Sequence, residues 1–315
     1  MKKVLVTGGA GFIGSNLCKK LSNYEVIVVD NLHKQIHGDN PPTMESLIVG
    51  DVTDINTWKE FYNYHFDAIV CLAAETGTGQ SMMCAQNYCN TNIGSIALLN
   101  DLIVSNKIKA DKVILASSRS VYGDAIVDKN GEPIASKETD VTNPQSIYAV
   151  TKLCQEQVLF AGFRNTQVSA LRFQNVYGPG QSLKNPYTGI ISIFTNAIKN
   201  NNNIQLFDDG LMSRDFVYID DVVDSLILAI EGKTKDREVY NVGSGTRTTV
   251  LKVAETLKKL HSSNIQINIT GEKMKGDIRH NYADITKLSG IGYVPKVTFD
   301  QGITNFVEWV NEFNV

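Results

Sequence analysis

The chain contains 315 residues, of which 43% are hydrophobic and 20% are charged, as in an ordinary globular protein. This length suffices for about two domains, or for one α/β domain with a substantial second lobe. The 30 Lys and Arg residues nearly balance the 33 Asp and Glu residues, which gives a net charge of −3. This balance argues against a protein that binds nucleic acid or acidic membranes, although a small anionic ligand needs only a few local cations.

The cysteines and the start of the chain exclude several further classes of protein. Five scattered cysteines argue against a disulfide framework, and we expect reduced thiols that pack in the interior. Cys84 and Cys89 lie close together without neighbouring His or acidic residues, so we expect no metal site. Only three apolar residues follow Lys3, and no run reaches the ~18 apolar residues of a membrane span. We therefore expect a cytoplasmic protein with no membrane partner.

Short β-rich runs alternate with longer helical patterns along the first half of the chain. The runs are continuously apolar, which is typical of strands covered on both faces of a parallel sheet. Strands are predicted at 4–6, 26–29, 47–49, 68–72, 113–115 and 168–171, and helices at 12–21, 55–63, 80–104 and 146–162. The alternation predicts an α/β fold built on a doubly wound parallel sheet.

Beyond residue 175 the pattern loosens, and turn-forming clusters interrupt it. Helices are predicted at 189–199, 220–231, 249–260 and 300–313. No linker-like boundary is present. We therefore expect two interwoven parts: residues 1–175, and a smaller, mostly C-terminal α/β lobe over 176–315, with some segments of the lobe returning to the first domain.

A glycine-rich turn joins the first strand to the first helix, with the sequence TGGAGFIG at 7–14. Glycine permits the tight turn, lets backbone amides approach a pyrophosphate and lets the helix pack on the strand. The helix N-terminus then faces the phosphates with its partial positive charge. In this strand–turn–helix context the motif predicts a Rossmann-type dinucleotide site, formed by Gly8, Gly11, Phe12, Ile13 and Gly14.

Two acidic residues follow the next two strands. Asp30 ends the second strand, where a carboxylate accepts hydrogen bonds from the adenosine ribose hydroxyls and repels a 2′-phosphate. It therefore favours NAD over NADP, and the alternative interpretation is a helix cap or surface turn. Asp51 and Val52 follow the third strand, where Asp51 would approach the adenine amino group, although Asp51 alone is more often a turn residue.

Tyr148 and Lys152 are four residues apart on a predicted helix, so both project from one face. A nearby ammonium favours the phenolate form of tyrosine and makes it a general base near neutral pH. Alone, such a pair is no more than two helix-surface residues. Ser117 and Ser118 end the preceding strand, where a hydroxyl could bond both the substrate and Tyr148, and the three elements together are far more specific.

These elements together resemble the extended short-chain dehydrogenase/reductase family of nucleotide-sugar epimerases and dehydratases over essentially the whole chain. The resemblance rests on Asp30, Asn92, Tyr148, Lys152 and the segments 7–14, 50–52, 72–74, 117–123, 171–179, 214–222 and 240–243. Three further segments resemble more closely its dTDP-L-rhamnose 4-epimerase-like branch: 75–82, 180–189 and 279–284.

The resemblance implies a tightly held NAD that is reduced and reoxidised within one turnover. Tyr148 would take the proton of the sugar 4-hydroxyl, Ser118 would bond the same oxygen, and Lys152 would stabilise the phenolate and contact the nicotinamide ribose. The remaining cofactor contacts would come from Asn31, Leu72, Ala73, Ala74 and Asn92. The nucleotide diphosphate sugar would be held by Thr78, Gln80, Arg119, Asn175, Arg214 and Arg279. Considered without the resemblance, Arg214 and Asp215 could equally form a surface ion pair.

Two positions depart from the family pattern. Its 4,6-dehydratases usually carry Thr-Asp-Glu where this chain has Ser118-Arg119-Ser120, and Arg and Ser cannot readily perform the acid–base elimination of water. Cys71 stands where the family often has His, which we interpret as a packing change.

The sequence therefore predicts an NAD-dependent nucleotide-sugar 4-epimerase of carbohydrate metabolism. Motif resemblance alone favours dTDP-L-rhamnose and dTDP-6-deoxy-L-talose as its pair of sugars. The alternatives are a dehydrogenase, 4-reductase, 4,6-dehydratase or decarboxylase on the same scaffold, or an NAD-sensing protein without chemistry. The resemblance also implies a homodimer formed by the helices at 80–104 and 146–162, whose apolar content is equally explained by packing within one subunit.

Overall fold

A computed structural model describes residues 1–39, 41–185, 187, 189–272 and 278–313. Its strands are β1 Lys2–Thr7, β2 Tyr24–Asp30, β3 Leu47–Val49, β4 His65–Phe66, β5 Ala68–Cys71, β6 Lys109–Ala110, β7 Lys112–Ser118, β8 Gln167–Phe173, β9 Asn175–Tyr177, β10 Ile204–Leu206, β11 Ser213–Tyr218, β12 Glu238–Val242, β13 Arg247–Thr249, β14 Ile267–Ile269 and β15 His280–Asn281.

The α-helices are α1 Phe12–Lys20, α2 Lys34–His37, α3 Ile55–Lys59, α4 Thr78–Ser81, α5 Ala85–Tyr88, α6 Gly94–Val104, α7 Ile147–Gly162, α8 Ile190–Lys199, α9 Ile219–Ile230, α10 Val250–Leu260, α11 Thr286–Ser289 and α12 Phe299–Glu312. A π-helical turn spans Cys89–Ile93, and a 3₁₀ turn spans Arg119–Tyr122. Of the helices in the described ranges, none combines the length and apolar character needed to cross a membrane.

The main sheet has seven strands in the order β3-β2-β1-β5-β7-β8-β12, and every neighbouring pair is parallel. This arrangement confirms the predicted doubly wound α/β fold. The chain winds outward from β1 in one direction and from β5 in the other. A crevice therefore opens at the carboxyl ends of β1 and β5, which is where such sheets bind ligands.

Two apolar clusters cover the faces of this sheet and explain why its strands are continuously apolar. Val4 and Val6 of β1 belong to one cluster, whereas Leu5 between them belongs to the other. Alternate side chains of a strand point to opposite faces, so a strand covered on both sides needs apolar residues at every position.

The chain beyond residue 175 forms a smaller sheet and also returns to the first one. β11 pairs with β9, β13 and β15, and β10 pairs with β14. β12 forms one edge of the main sheet beside β8, and α9 packs on α1. The two predicted domains therefore share elements, and the boundary between them at residues 175/176 is a proposal.

Two predicted helices are shorter or more interrupted than the sequence pattern indicated. The helix expected at 80–104 is divided into α4, α5, the π-helical turn and α6, and the one at 55–63 ends at Lys59. The π-helical turn contains Asn92, whose buried side chain bonds to the backbone of Glu75 and to the Thr151 hydroxyl. A π-helical turn contains one more residue than an α-helical turn, and here it occurs where a polar side chain must face inward.

The cysteines agree only in part with the expectation of packed thiols. All five are free, and Cys71 is buried on β5, as the packing interpretation requires. Cys84 and Cys89 are exposed instead, because the interrupted helix segments that carry them face the surface.

Candidate active site and cofactor cleft

A cavity of about 850 Å³ lies in the crevice and extends to the smaller sheet. It brings together most of the residues that the sequence singled out. Its lining includes Gly8, Gly11, Phe12, Ile13, Gly14, Asp30, Asn31, Asp51, Val52, Leu72, Ala73, Ala74, Thr78, Ser118, Arg119, Tyr148, Lys152, Asn175 and Arg214.

The turn between β1 and α1 has no room for side chains at its critical glycines. Gly8 has a φ of +70°, and a Cβ added there would lie 2.6 Å from the Ala73 nitrogen. A Cβ at Gly14 would lie 2.4 Å from the Gly8 carbonyl oxygen. Gly11 is the N-cap of α1 and offers no side-chain cap to the amides of the first turn. These features fit the pyrophosphate of a dinucleotide, which accepts hydrogen bonds from such amides.

Asp30 has features of both interpretations that the sequence left open, the ribose ligand and the turn residue. Its carboxylate accepts hydrogen bonds from the backbone amides of Ala10 (3.1 Å) and Leu32 (2.9 Å), so it holds the turn. It also lines the cavity, and His37 Nε2 lies 3.5 Å from its Oδ1. Asp51 accepts hydrogen bonds from Thr53 and Asn31, which lower the pKa of Asp51 although partial burial opposes them.

Ser118, Tyr148 and Lys152 converge on the cavity from β7 and α7. Burial raises the pKa of Tyr148, whereas a hydrogen bond with Ser118 and the positive charge of Arg119 act in the opposite direction. Burial lowers the pKa of Lys152 to about 8, against the opposing influence of Cys71 and Glu156. The arrangement places a tyrosine beside two cations and a hydroxyl, as a proton-transfer site requires.

A buried charge network under Lys152 was missed by the sequence analysis. Glu156 accepts two hydrogen bonds from Arg172, of 2.9 and 2.7 Å, and a third of 2.5 Å from Ser117. Both charged side chains are almost fully buried. Glu156 follows Lys152 by four residues on α7, and this spacing was the available signal, since it places both on one helix face.

Three of the predicted substrate contacts lie where the small sheet meets the cavity. Arg119 Nε donates a hydrogen bond of 2.8 Å to Asn175 Oδ1. Arg214 donates to the carbonyl oxygens of Ser213 (2.9 Å) and Arg279 (3.1 Å). Arg214 and Asp215 are both buried, so the surface ion pair is excluded. Asp215 instead accepts hydrogen bonds from Ser244, Gly245 and Ala283, which join three segments of the chain.

Three predicted site residues lie outside the cavity lining. The Arg279 guanidinium is exposed and pairs with Asp208 and Asp209. Asn92 is buried behind the lining, where it fixes the Glu75 backbone. Gln80 bonds to Gln35 at the edge of the cavity.

One end of the cavity is apolar and was not predicted as part of the site. Its wall is formed by α8 and by residues in or next to β10 and β11, namely Ile190, Ile193, Phe194, Leu206, Phe207, Met212 and Phe216. The only sequence signal was the apolar face of a predicted amphipathic helix, which core packing explains equally well.

Comparisons with known proteins agree with this geometry. Residues 4–243 match the model of the NAD dependent epimerase/dehydratase family. The chain is similar to the dTDP-L-rhamnose 4-epimerase of Burkholderia thailandensis, with 35% identity covering 98% of this chain and 95% of the relative.

Two solved structures extend the similarity. One is the UDP-glucose 4-epimerase of Thermotoga maritima with UDP-glucose, with a TM-score of 0.88, 30% identity and coverage of 99% of this chain and 100% of that one. The other is the UDP-glucose 4-epimerase of Thermus thermophilus in complex with NAD, with a TM-score of 0.85, 26% identity and coverage of 98% and 99%. The chain therefore belongs to the NAD-dependent epimerase/dehydratase family of enzymes that act on nucleotide sugars, and its cofactor is NAD.

Proposed function

We propose that this enzyme is a nucleotide-sugar 4-epimerase whose catalytic residues are Ser118, Tyr148 and Lys152. The observation that carries the proposal is that these three side chains converge on the cavity, whereas Arg119 and Ser120 directly follow Ser118 in the chain. The pair of carboxyl side chains that dehydratases of this family usually carry there is absent from those two positions. Proton removal at one sugar hydroxyl is therefore supported, and elimination of water is not.

The first half of the reaction is a deprotonation at the sugar 4-hydroxyl. Bound NAD supplies the acceptor, and afterwards the donor, of the hydride at C-4. Tyr148 accepts the hydroxyl proton as a phenolate, and Ser118 donates a hydrogen bond to the same sugar oxygen. Burial opposes ionisation of Tyr148, so the charges of Lys152 and Arg119 are needed to stabilise the phenolate.

The second half requires the 4-keto sugar to present its opposite face. Arg214 and Asn175 hold the diphosphate at the small sheet, which leaves the hexose as the part that turns. Thr78 lines the cavity with a small side chain, which leaves room for a rotating ring. Tyr148 then returns its proton to the 4-oxygen. The configuration at C-4 is inverted, and no net oxidation occurs.

The proposed substrate pair is dTDP-L-rhamnose and dTDP-6-deoxy-L-talose. Support comes from the named activity of the Burkholderia thailandensis relative and from the three segments that resemble this branch. The apolar end of the cavity, with Phe194 and Phe207, suits a pyrimidine base.

A panel of dTDP-, UDP-, GDP- and CDP-hexoses tests the proposal, with products identified by NMR. We expect conversion of dTDP-L-rhamnose to its C-4 epimer without added NAD and without change in NADH absorbance. Net NADH formation would indicate a dehydrogenase. Carbon dioxide from a UDP-uronic acid would indicate a decarboxylase, and a 4-keto-6-deoxy product from a dTDP-hexose would indicate a dehydratase.

A homodimer that uses α6 and α7 is the proposed assembly. Val104 of α6 is 59% exposed and Val150 of α7 is 40% exposed, so both helices present apolar side chains at the surface. Val150→Glu would place a charge in this interface. Light scattering should then report a monomer, whereas a dimer that survives the substitution would place the interface elsewhere.

A further inference from the structure

Two of the segments that resemble the rhamnose-epimerase branch meet at the edge of the cavity. Gly77, in the 75–82 segment, has a φ of +99°, and a Cβ added there would lie 2.9 Å from the Tyr187 Cβ. Tyr187 belongs to the 180–189 segment, of which Pro186 and Thr188 lie outside the described residues. The absence of a side chain at Gly77 thus permits a close contact between segments that are more than a hundred residues apart.

A set of amide side chains joins the same two segments to a third. Gln35 and Gln80 exchange two hydrogen bonds, each of 3.1 Å, between their Nε2 and Oε1 atoms. Gln35 Nε2 also lies 3.4 Å from Asn185 Oδ1, and the Asn185 side chain is buried. We call Gln35, Gln80 and Asn185, together with the Gly77–Tyr187 contact, the loop seam.

The loop seam joins three parts of the chain at the edge of the cavity that would hold the cofactor. Gln35 follows Asp30, at the end predicted to bind the adenosine. Gln80 follows Thr78, at the end near the catalytic tyrosine, and Asn185 belongs to the lobe proposed to bind the sugar. Gln35 and Asn185 line the cavity, whereas Gln80 does not.

Tyr88 holds the loop seam in place through its hydroxyl group. Its fully buried side chain bonds through the hydroxyl to the carbonyl oxygens of Thr76 and Gly77, and the hydroxyl lies 3.4 Å from Gln80 Oε1. Its ring packs edge-to-face against that of Tyr148, with 6.4 Å between the centroids. The position of the seam is thereby linked to that of the catalytic tyrosine.

We propose that the loop seam closes the cavity over NAD and retains the cofactor through the turnover, with Gln80 acting as a positioning residue. The inference rests on NAD binding and does not depend on which sugar is the substrate. An enzyme that must return the same hydride needs its cofactor to stay bound until the sugar is reduced again. A reciprocal amide pair between Gln35 and Gln80 slows the separation of the two segments that carry them, because both bonds must break together.

Release of NADH from the protein tests this role without any sugar. Wild type and variants are loaded with NADH and mixed with excess NAD, and the fluorescence of bound NADH is followed. We expect Gln80→Ala to release NADH about tenfold faster than wild type. Gln80→Glu, which can accept from Gln35 but cannot donate in return, should be intermediate. Met83→Ala, at an exposed position close by, should release NADH at the wild-type rate.

The coupling between the two glutamines gives a second criterion. If Gln80 acts through Gln35, Gln80→Ala should add no further acceleration in a Gln35→Ala background. A wild-type release rate in both Gln80 variants would overturn the proposal. So would an acceleration by Gln80→Ala that persists undiminished when Gln35 is already Ala. Should Gln80→Ala fail to fold, Gln80→Glu provides the same comparison.

Discussion

The ammonium of Lys152 donates a hydrogen bond of 2.9 Å to the Ala116 carbonyl oxygen and lies 5.9 Å from the centre of the Tyr148 ring. Tyr148 and Lys152 occupy one face of α7, and Ala116 is the residue two before Ser118 on β7. One hydrogen bond therefore fixes the cation against the strand that also carries the serine. The distance between charge and phenol is set by packing of helix on sheet.

Tyr148→Phe should abolish turnover while leaving NAD bound. The substitution removes the only group in the proposed mechanism that exchanges a proton with the sugar, and such groups typically contribute 10²–10⁴-fold to the rate. The measurements are the rate of epimer formation by NMR and the NAD content of the purified protein. Turnover within tenfold of wild type would remove Tyr148 from the mechanism.

Turnover should fall as the pH rises above about 8. Burial lowers the pKa of Lys152 to about 8, so the ammonium that stabilises the Tyr148 phenolate is lost above that pH. The charge of Glu156 acts to raise the pKa of Lys152, and Glu156→Gln should therefore move the fall to lower pH. Profiles of kcat against pH for the two proteins make the comparison. A fall at the same pH in both would show that Glu156 does not influence this lysine.

Arg172→Met should destabilise the fold by about 3–5 kcal/mol, because it leaves the Glu156 carboxylate buried without its cation. Glu156→Gln combined with Arg172→Met should be less destabilised than Arg172→Met alone, since it removes both charges of the ion pair. Urea denaturation provides the free energies of unfolding. A single variant no less stable than the double variant would mean that the ion pair is not the source of the loss.

Gly14→Ala should weaken NAD binding at least tenfold, because its methyl group would collide with the Gly8 carbonyl oxygen and the Gly9 backbone. Gly94→Ala is the matched control. It adds a methyl group at the start of α6, where no described atom outside the adjoining backbone lies within 4 Å of the new Cβ. The control should bind NAD normally and be equal or greater in stability, by up to about 1 kcal/mol. Equal NAD titrations for both variants would contradict the role assigned to the turn.

Arg214→Met should raise the KM for the nucleotide sugar about 10- to 100-fold and leave NAD binding unchanged, because a buried cation at the proposed diphosphate site would be lost. Arg279→Met should have a much smaller effect, since Arg279 is exposed and paired with Asp208 and Asp209. Steady-state kinetics of both variants distinguish the two arginines. An equal rise in KM for both would show that Arg279 leaves its aspartates to bind the substrate.

The local features of the fold were predictable because each depends on short segments of sequence. The apolar strands, the glycine turn and the spacing of Tyr148 and Lys152 need only backbone geometry and periodicity. Asp30 lies at the end of β2 and lines the cavity, whereas its bonds to Ala10 and Leu32 depend on the path of the turn.

Features that join distant segments could not be predicted in the same way. The ion pair of Glu156 with Arg172 and the amide pair of Gln35 with Gln80 require the strand order and the loop positions. The interruption of the helix around Asn92 depends on Thr151 and Glu75 and has no signal in the periodicity of 80–104. Arg279 lies in a segment that resembles the family, yet its guanidinium pairs with Asp208 and Asp209, which are 71 and 70 residues earlier in the chain.

The proposed reaction requires that hydride leaves C-4 and returns to C-4 of the same sugar. Its most direct test is dTDP-L-rhamnose that carries deuterium at C-4, incubated with the holoenzyme in ordinary water and analysed by NMR. We expect the epimeric product to retain the deuterium at C-4, and a parallel reaction in deuterated water to introduce no label at C-4 or C-5. Loss of the C-4 deuterium to solvent, or entry of solvent deuterium at C-5, would contradict it.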